Sequence, residues 1–296
     1  MNRPAWLVML VLATLASGCE TIRDAFTPSP SSPAIGPPAA GAAISYAAIG
    51  ASDALGIGGS APCQLFTACE GGTGYVQRLT RELRARNHET TLVNLGIPAA
   101  VLSPAIHDLA RTHNRDVPAN FIDHALTFVP ASATLVTVFG GANDANAVGD
   151  AMRKGAGSSN LKAFADEQIQ AFGRDYDRLV RGIRERAPNA FIIVINLPNL
   201  ATMPYASGYT PQEKQVLQHL AVGFTREANS QAGSGIVVLD LMCDASAYDA
   251  SRVASDGFHP NDAGYEYLTQ RLLAIVNGAS TSASSSCAAM NVFPAL

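Results

Sequence analysis

Five short runs of Val, Ile, Leu and Phe punctuate the chain, at 44–50, 90–95, 134–139, 191–196 and 236–241. They are compact apolar runs with little polar alternation, the pattern of strands covered on both faces. Longer stretches with helical spacing lie between them. In 168–186, Ile169, Phe172, Tyr176, Leu179, Val180 and Ile183 share one face while Arg and Asp occupy the other, until Pro188-Asn189 stops the run. The same reasoning predicts helices over 75–86, 211–231 and 262–276, the last with Leu268, Leu272, Ile275 and Val276 on one side. Strand and helix in alternation imply right-handed crossovers and a mainly parallel sheet. One doubly wound α/β domain over 43–277, built on a mainly parallel five-stranded sheet, accounts for the pattern better than two domains. Sites in such folds form beyond the carboxyl ends of the strands, so unusual chemistry is expected just after each apolar run.

The two ends read differently. Arg3 followed by the apolar stretch from Trp6 to Leu15 and the small residues Ala16-Ser17-Gly18 has the layout of a signal peptide over 1–18. Cys19 comes next, as in a bacterial lipoprotein signal, where the cysteine is lipidated and anchors the protein to a membrane; the alternative is an ordinary secretory signal. Residues 19–42 are rich in Pro, Ala, Ser and Gly and read as a linker. Residues 278–296 form a C-terminal tail whose first part, GASTSASSS, looks loose. Export would place the other four cysteines in an oxidising compartment, where an even count favours disulfides over metal ligation. Of the three possible connectivities, Cys63–Cys69 closing a short loop and Cys243–Cys287 tying the tail to the body are expected. With 20 Lys and Arg against 24 Asp and Glu, the formal charge is −4, without basic runs, which argues against a nucleic-acid surface. A hydrophobic fraction of 48% suffices for a sizeable core.

The chemistry falls where the strand pattern says it should. Gly50-Ala51-Ser52-Asp53 follows the first run, Asn94-Leu95-Gly96 the second, and Gly140-Gly141-Ala142-Asn143-Asp144 the third. After the fifth run and an excursion comes Asp256-Gly257-Phe258-His259-Pro260. A serine hydroxyl needs an adjacent base to act as a nucleophile. His259 is the best candidate of the six histidines, because Asp256 stands three positions before it in one short loop and can orient its ring. No Gly-x-Ser-x-Gly elbow surrounds any serine, and Gly56-x-Gly58-Gly59 lacks the spacing of a phosphate loop.

These blocks, in this order, resemble those of the SGNH (GDSL-like) hydrolases over roughly residues 44–277. The resemblance implies a flavodoxin-like three-layer α/β/α sandwich and a catalytic triad of Ser52, His259 and Asp256. It further implies an oxyanion hole formed by the backbone N–H of Ser52, the backbone N–H of Gly96 and the side-chain amide of Asn143. No metal or other cofactor is implied. The family's first block usually reads Gly-Asp-Ser, whereas here Ala51 precedes the serine and Asp53 follows it, in a position to cap the following turn. The expected activity is hydrolysis of lipid, aryl or acetyl-glycan esters through an acyl-enzyme. Transfer of the acyl group to a glycan or lipid acceptor, or a catalytically silent binding lipoprotein, are the alternatives. Segments 97–130, 144–167 and 201–211, with Ile97, Phe121, Phe128, Met203, Tyr205 and Tyr209, are candidate pocket walls, although core packing explains many of them equally well.

Overall fold

The computed structural model describes residues 35–65, 67 and 69–296; the signal-like segment, Cys19 and the linker as far as 34 lie outside them. In chain order the first half comprises β1 (Ile44–Gly50), α1 (Ser52–Leu55), α2 (Tyr75–Ala85), β2 (Thr90–Gly96), α3 (Pro104–Thr112), α4 (Phe121–His124) and β3 (Leu135–Phe139). There follow α5 (Ala142–Arg153), α6 (Leu161–Arg186), β4 (Phe191–Ile195), α7 (Pro211–Asn229), β5 (Ile236–Leu239) and α8 (Asp262–Val276), with 3-10 turns between some of them.

All five strands are parallel, in the order β2-β1-β3-β4-β5. The chain steps one way from β1 to β2 and the other way in every later crossover. With right-handed connections this reversal puts the first and last long helices on one face and the rest on the other. Accordingly α2 packs against α8, while α3, α5, α6 and α7 pack among themselves, giving a three-layer α/β/α sandwich. β3 and β4 are buried at every position, which explains their unbroken apolar sequences. β2 is an edge strand and is only half-buried along most of its length. The switch point between β1 and β3 opens a crevice at the carboxyl ends of the strands, where Ser52 and Asn143 emerge.

Four helices, α1, α3, α4 and α5, were not expected from periodicity, and α6 starts at Leu161, earlier than the predicted 168. The short α3 is set by local chemistry, with Pro104 in its first turn and Ser103 accepting the Ile106 N–H as N-cap. In α5 the buried face is largely alanine (Ala145, Ala147, Ala151), small residues that carry little amphipathic signal. Asn160 caps α6 by accepting the Ala163 N–H.

The cysteines pair as expected, Cys63 with Cys69 and Cys243 with Cys287. The tail is less loose than its composition suggests. Thr281 donates to the Val238 carbonyl, Ser284 N–H donates to Asp240, and the Gln218 carboxamide exchanges hydrogen bonds with the backbone of Val292 and Phe293. At the other end the compact unit begins at Ile35, inside the expected linker, and His88 bonds the Ala42 carbonyl.

Candidate active site

β1 ends at Gly50, from which the chain turns at once into α1 with Ser52 as its first residue. Ser52 is 7% exposed, so its hydroxyl is held in place yet reachable. Its N–H belongs to the first turn of a helix and has no intrahelical acceptor. The loop before α8 supplies the other two groups. Asp256 accepts the backbone N–H groups of Phe258 (2.9 Å) and His259 (3.0 Å) with Oδ1, an Asx turn that curls the loop. Its Oδ2 lies 2.6 Å from His259 Nδ1, and His259 Nε2 lies 2.7 Å from Ser52 Oγ. The three residues predicted from two separate blocks thus form one continuous hydrogen-bonded chain.

That loop is anchored on both sides. Gly257 sits at φ +74°, and a Cβ there would meet the Tyr205 nitrogen at 2.6 Å, so only glycine fits. Its carbonyl accepts the Tyr205 N–H, and the Phe258 ring packs edge-on against Tyr205. Asn261 caps α8 through the N–H groups of Ala263 and Gly264 while its amide holds the Ser251 and Val253 carbonyls. Burial raises the Asp256 carboxyl, but the hydrogen bond from His259 and the two backbone donors outweigh it and leave it below the usual carboxylate range. Asp256 is therefore suited to hold an imidazolium in place without taking its proton.

The expected oxyanion donors are more heterogeneous. Asn143, in the first turn of α5, gives one amide N–H to the Ala100 carbonyl at 2.9 Å. An amide nitrogen has two donors, so one is left for a substrate oxygen. Gly96 closes β2, and a Cβ there would meet Ala54 Cβ at 2.9 Å and the Ala51 carbonyl at 3.1 Å. Its N–H, however, already donates to Asn94 Oδ1 at 3.0 Å, while Asn94 Nδ2 donates to the Ala54 carbonyl. Asn94, read from sequence as a turn residue, in fact ties β2 to the turn that carries Ser52. For Gly96 to receive a substrate oxygen, Asn94 must give up that bond.

Two further expectations are corrected. Asp53 makes no side-chain capping bond to α1 and receives none from another described residue. It lines an apolar cavity with Phe139, Leu197, Met203 and Phe258, where burial raises its carboxyl and the nearby His259 partly opposes the rise. Among the pocket candidates, Phe121 is fully buried core packed against Gly140. Tyr205 donates to Asn146 Oδ1, whereas Met203 does line the cavity beside Asp53 and Tyr209 lines a second pocket beneath the Arg153 guanidinium. Ile97 and Phe128 do line a groove. The neighbouring Asp144 is fully buried; burial pushes its carboxyl up to about 7 even though it accepts the Leu102 and Ser103 N–H groups, which dock α5 onto the loop after β2.

The model of the GDSL-like lipase/acylhydrolase family matches residues 48–267, which include all the residues of this site. No curated protein gives a significant match. Among solved structures, the extracellular lipase from Streptomyces rimosus is similar at 17% identity and a TM-score of 0.55, over 79% of this chain and 100% of that one. A lipase from a goat rumen metagenome is similar at 19% identity and a TM-score of 0.52, over 78% of this chain and 97% of that one. At such identities these likenesses speak for the fold, and it is the family match, over most of the sequence, that assigns the chain. The protein is a carboxylic ester hydrolase of the GDSL-like lipase/acylhydrolase family.

Proposed function

We propose that the protein hydrolyses lipid, aryl or acetyl-glycan esters through a covalent acyl-enzyme on Ser52. The observation that carries this reading is the unbroken chain from Ser52 Oγ through His259 to Asp256, at 2.7 and 2.6 Å. His259 Nε2 takes the hydroxyl proton as Ser52 Oγ attacks the ester carbonyl, and Asp256 steadies the imidazolium. The oxyanion is received by the Ser52 N–H and the free amide N–H of Asn143, joined by the Gly96 N–H once Asn94 releases it. Collapse expels the alcohol, which leaves with the proton from His259. Water then attacks the acyl-serine by the same route in reverse roles and frees the acid. Turnover of nitrophenyl acetate by the purified protein, and its loss in Ser52→Ala, tests the reading.

Asn143→Ala removes the amide N–H left for the oxyanion, together with the bond to the Ala100 carbonyl. Its kcat is expected to fall about 10² to 10³-fold with KM little changed, as for other side-chain oxyanion donors. A loss expressed only in KM would remove Asn143 from this role.

We further infer that the protein is exported and lipidated at Cys19. The signal-like N-terminus and the two disulfides of the body support this reading, and among the described residues no helix is long and apolar enough to cross a membrane. In a bacterial host the wild type is expected in the membrane fraction and Cys19→Ala in the soluble one. Equal partition of the two would contradict lipidation.

A further inference from the structure

A groove of about 690 Å³ follows the outer edge of β2, with Gly96 and Ile97 at one end. Leu55, Leu92 and Leu95 line it, and Leu65 and Phe128 stand at its rim. Phe128 is 65% exposed and Leu65 40%, two of the three large apolar side chains so exposed among the described residues. From Gly96 to Leu92 the strand advances about 13 Å, room for an extended chain.

The groove also holds an anomaly. Gln77 of α2 lines it and is only 5% exposed, yet among the described residues its Oε1 has no hydrogen-bond partner. Buried carboxamides are rarely left so, and this unmet acceptor, closed to solvent in the groove wall, meets a donor from a ligand once the carboxamide turns outward. The arginines nearby do not supply it: Arg81 is committed to the Glu70 and Gly72 carbonyls and Arg84 to the Thr90 carbonyl.

Position relative to the triad decides which part of an ester the groove receives. His259 comes from a loop braced by Tyr205, after β4, on the opposite side of β1 from the β2 edge. As general acid it must face the leaving oxygen. The alcohol therefore lies on the His259 side and the acyl substituent points toward β2.

Resting on the esterase reading above, we propose that this groove binds the acyl part of the substrate. The acyl group is an extended chain, apolar beside Gly96 and carrying a hydroxyl that donates to Gln77 Oε1.

The test compares nitrophenyl esters of acetate, octanoate and a positional series of hydroxyoctanoates on the wild type, Gln77→Leu and Phe128→Asp. One hydroxyoctanoate is expected to exceed octanoate in kcat/KM by about tenfold, because a site built around a substrate hydroxyl disfavours the analogue lacking it. Gln77→Leu brings that ratio to about one or below, and Phe128→Asp lowers the octanoate-to-acetate ratio. Absence of any favoured isomer, or an unchanged hydroxyoctanoate-to-octanoate ratio in Gln77→Leu, overturns the proposal. Calorimetry with the free hydroxyoctanoates separates the groove from the chemistry. Binding to Ser52→Ala that Gln77→Leu abolishes, with no turnover by the wild type, upholds the groove and removes the esterase. Turnover of the acetate ester without these preferences does the reverse.

Discussion

Ser52→Ala lowers kcat toward nitrophenyl acetate by about 10⁴ to 10⁶-fold, leaving only what binding and the oxyanion donors supply. The change deletes one oxygen at a position whose hydroxyl bonds His259 Nε2, and the side chain caps no helix. Alanine also suits the first turn of α1, so the thermal midpoint should hardly move. Steady-state kinetics beside a melting curve separates lost chemistry from lost fold. His259→Ala is expected to cost a similar factor, and the double variant no more than either alone, because nucleophile and base act as one unit. Substantial turnover in folded Ser52→Ala would remove the acyl-enzyme from the account.

Asp256→Asn is the more instructive substitution, with an expected loss of about 10³ to 10⁴-fold in kcat. The reason lies in the loop backbone. The N–H groups of Phe258 and His259 both donate to Asp256 Oδ1, so an asparagine there turns its carbonyl oxygen toward them. Its amide N–H then faces His259 Nδ1 and forces that nitrogen to accept. The ring proton moves to Nε2 and points at Ser52, and an imidazole in that tautomer cannot take the hydroxyl proton. Asp256→Glu, which preserves the charge, should recover part of the loss. Equal activity in Asp256→Asn and wild type would mean that the carboxylate does not orient the base.

Much of this architecture was legible in the chain. The strands could be placed because burial on both faces imposes unbroken apolar runs such as FIIVI in β4, and the site residues because they follow those runs. Ser52 in Gly-Ala-Ser-Asp is a weak signal alone; its position after β1, together with Asn143 after β3 and the Asp256–His259 loop, carried the inference. What escaped was tertiary. α5 hides its buried face in alanines, and α3 depends on a cap and a proline. The GASTSASSS stretch has no apolar pattern, yet hydrogen bonds from Thr281 and Ser284 fasten it to the body. Phe121 could not be told from a pocket residue, since a buried aromatic reads alike in core and cleft. No periodicity reveals that Asn94 holds the Gly96 N–H, a contact between a side chain and a backbone group two residues away. Asp53 shows the same limit, because an acidic residue entering a helix reads as a cap and here faces an apolar cavity instead.

The most direct test of the covalent mechanism is stoichiometric labelling with a serine-directed alkyl phosphonate, followed by peptide mass spectrometry. A single adduct on Ser52, formed in proportion to the activity lost and absent from His259→Ala, is the predicted result. An adduct on another residue, or full activity after Ser52 is labelled, would contradict the account.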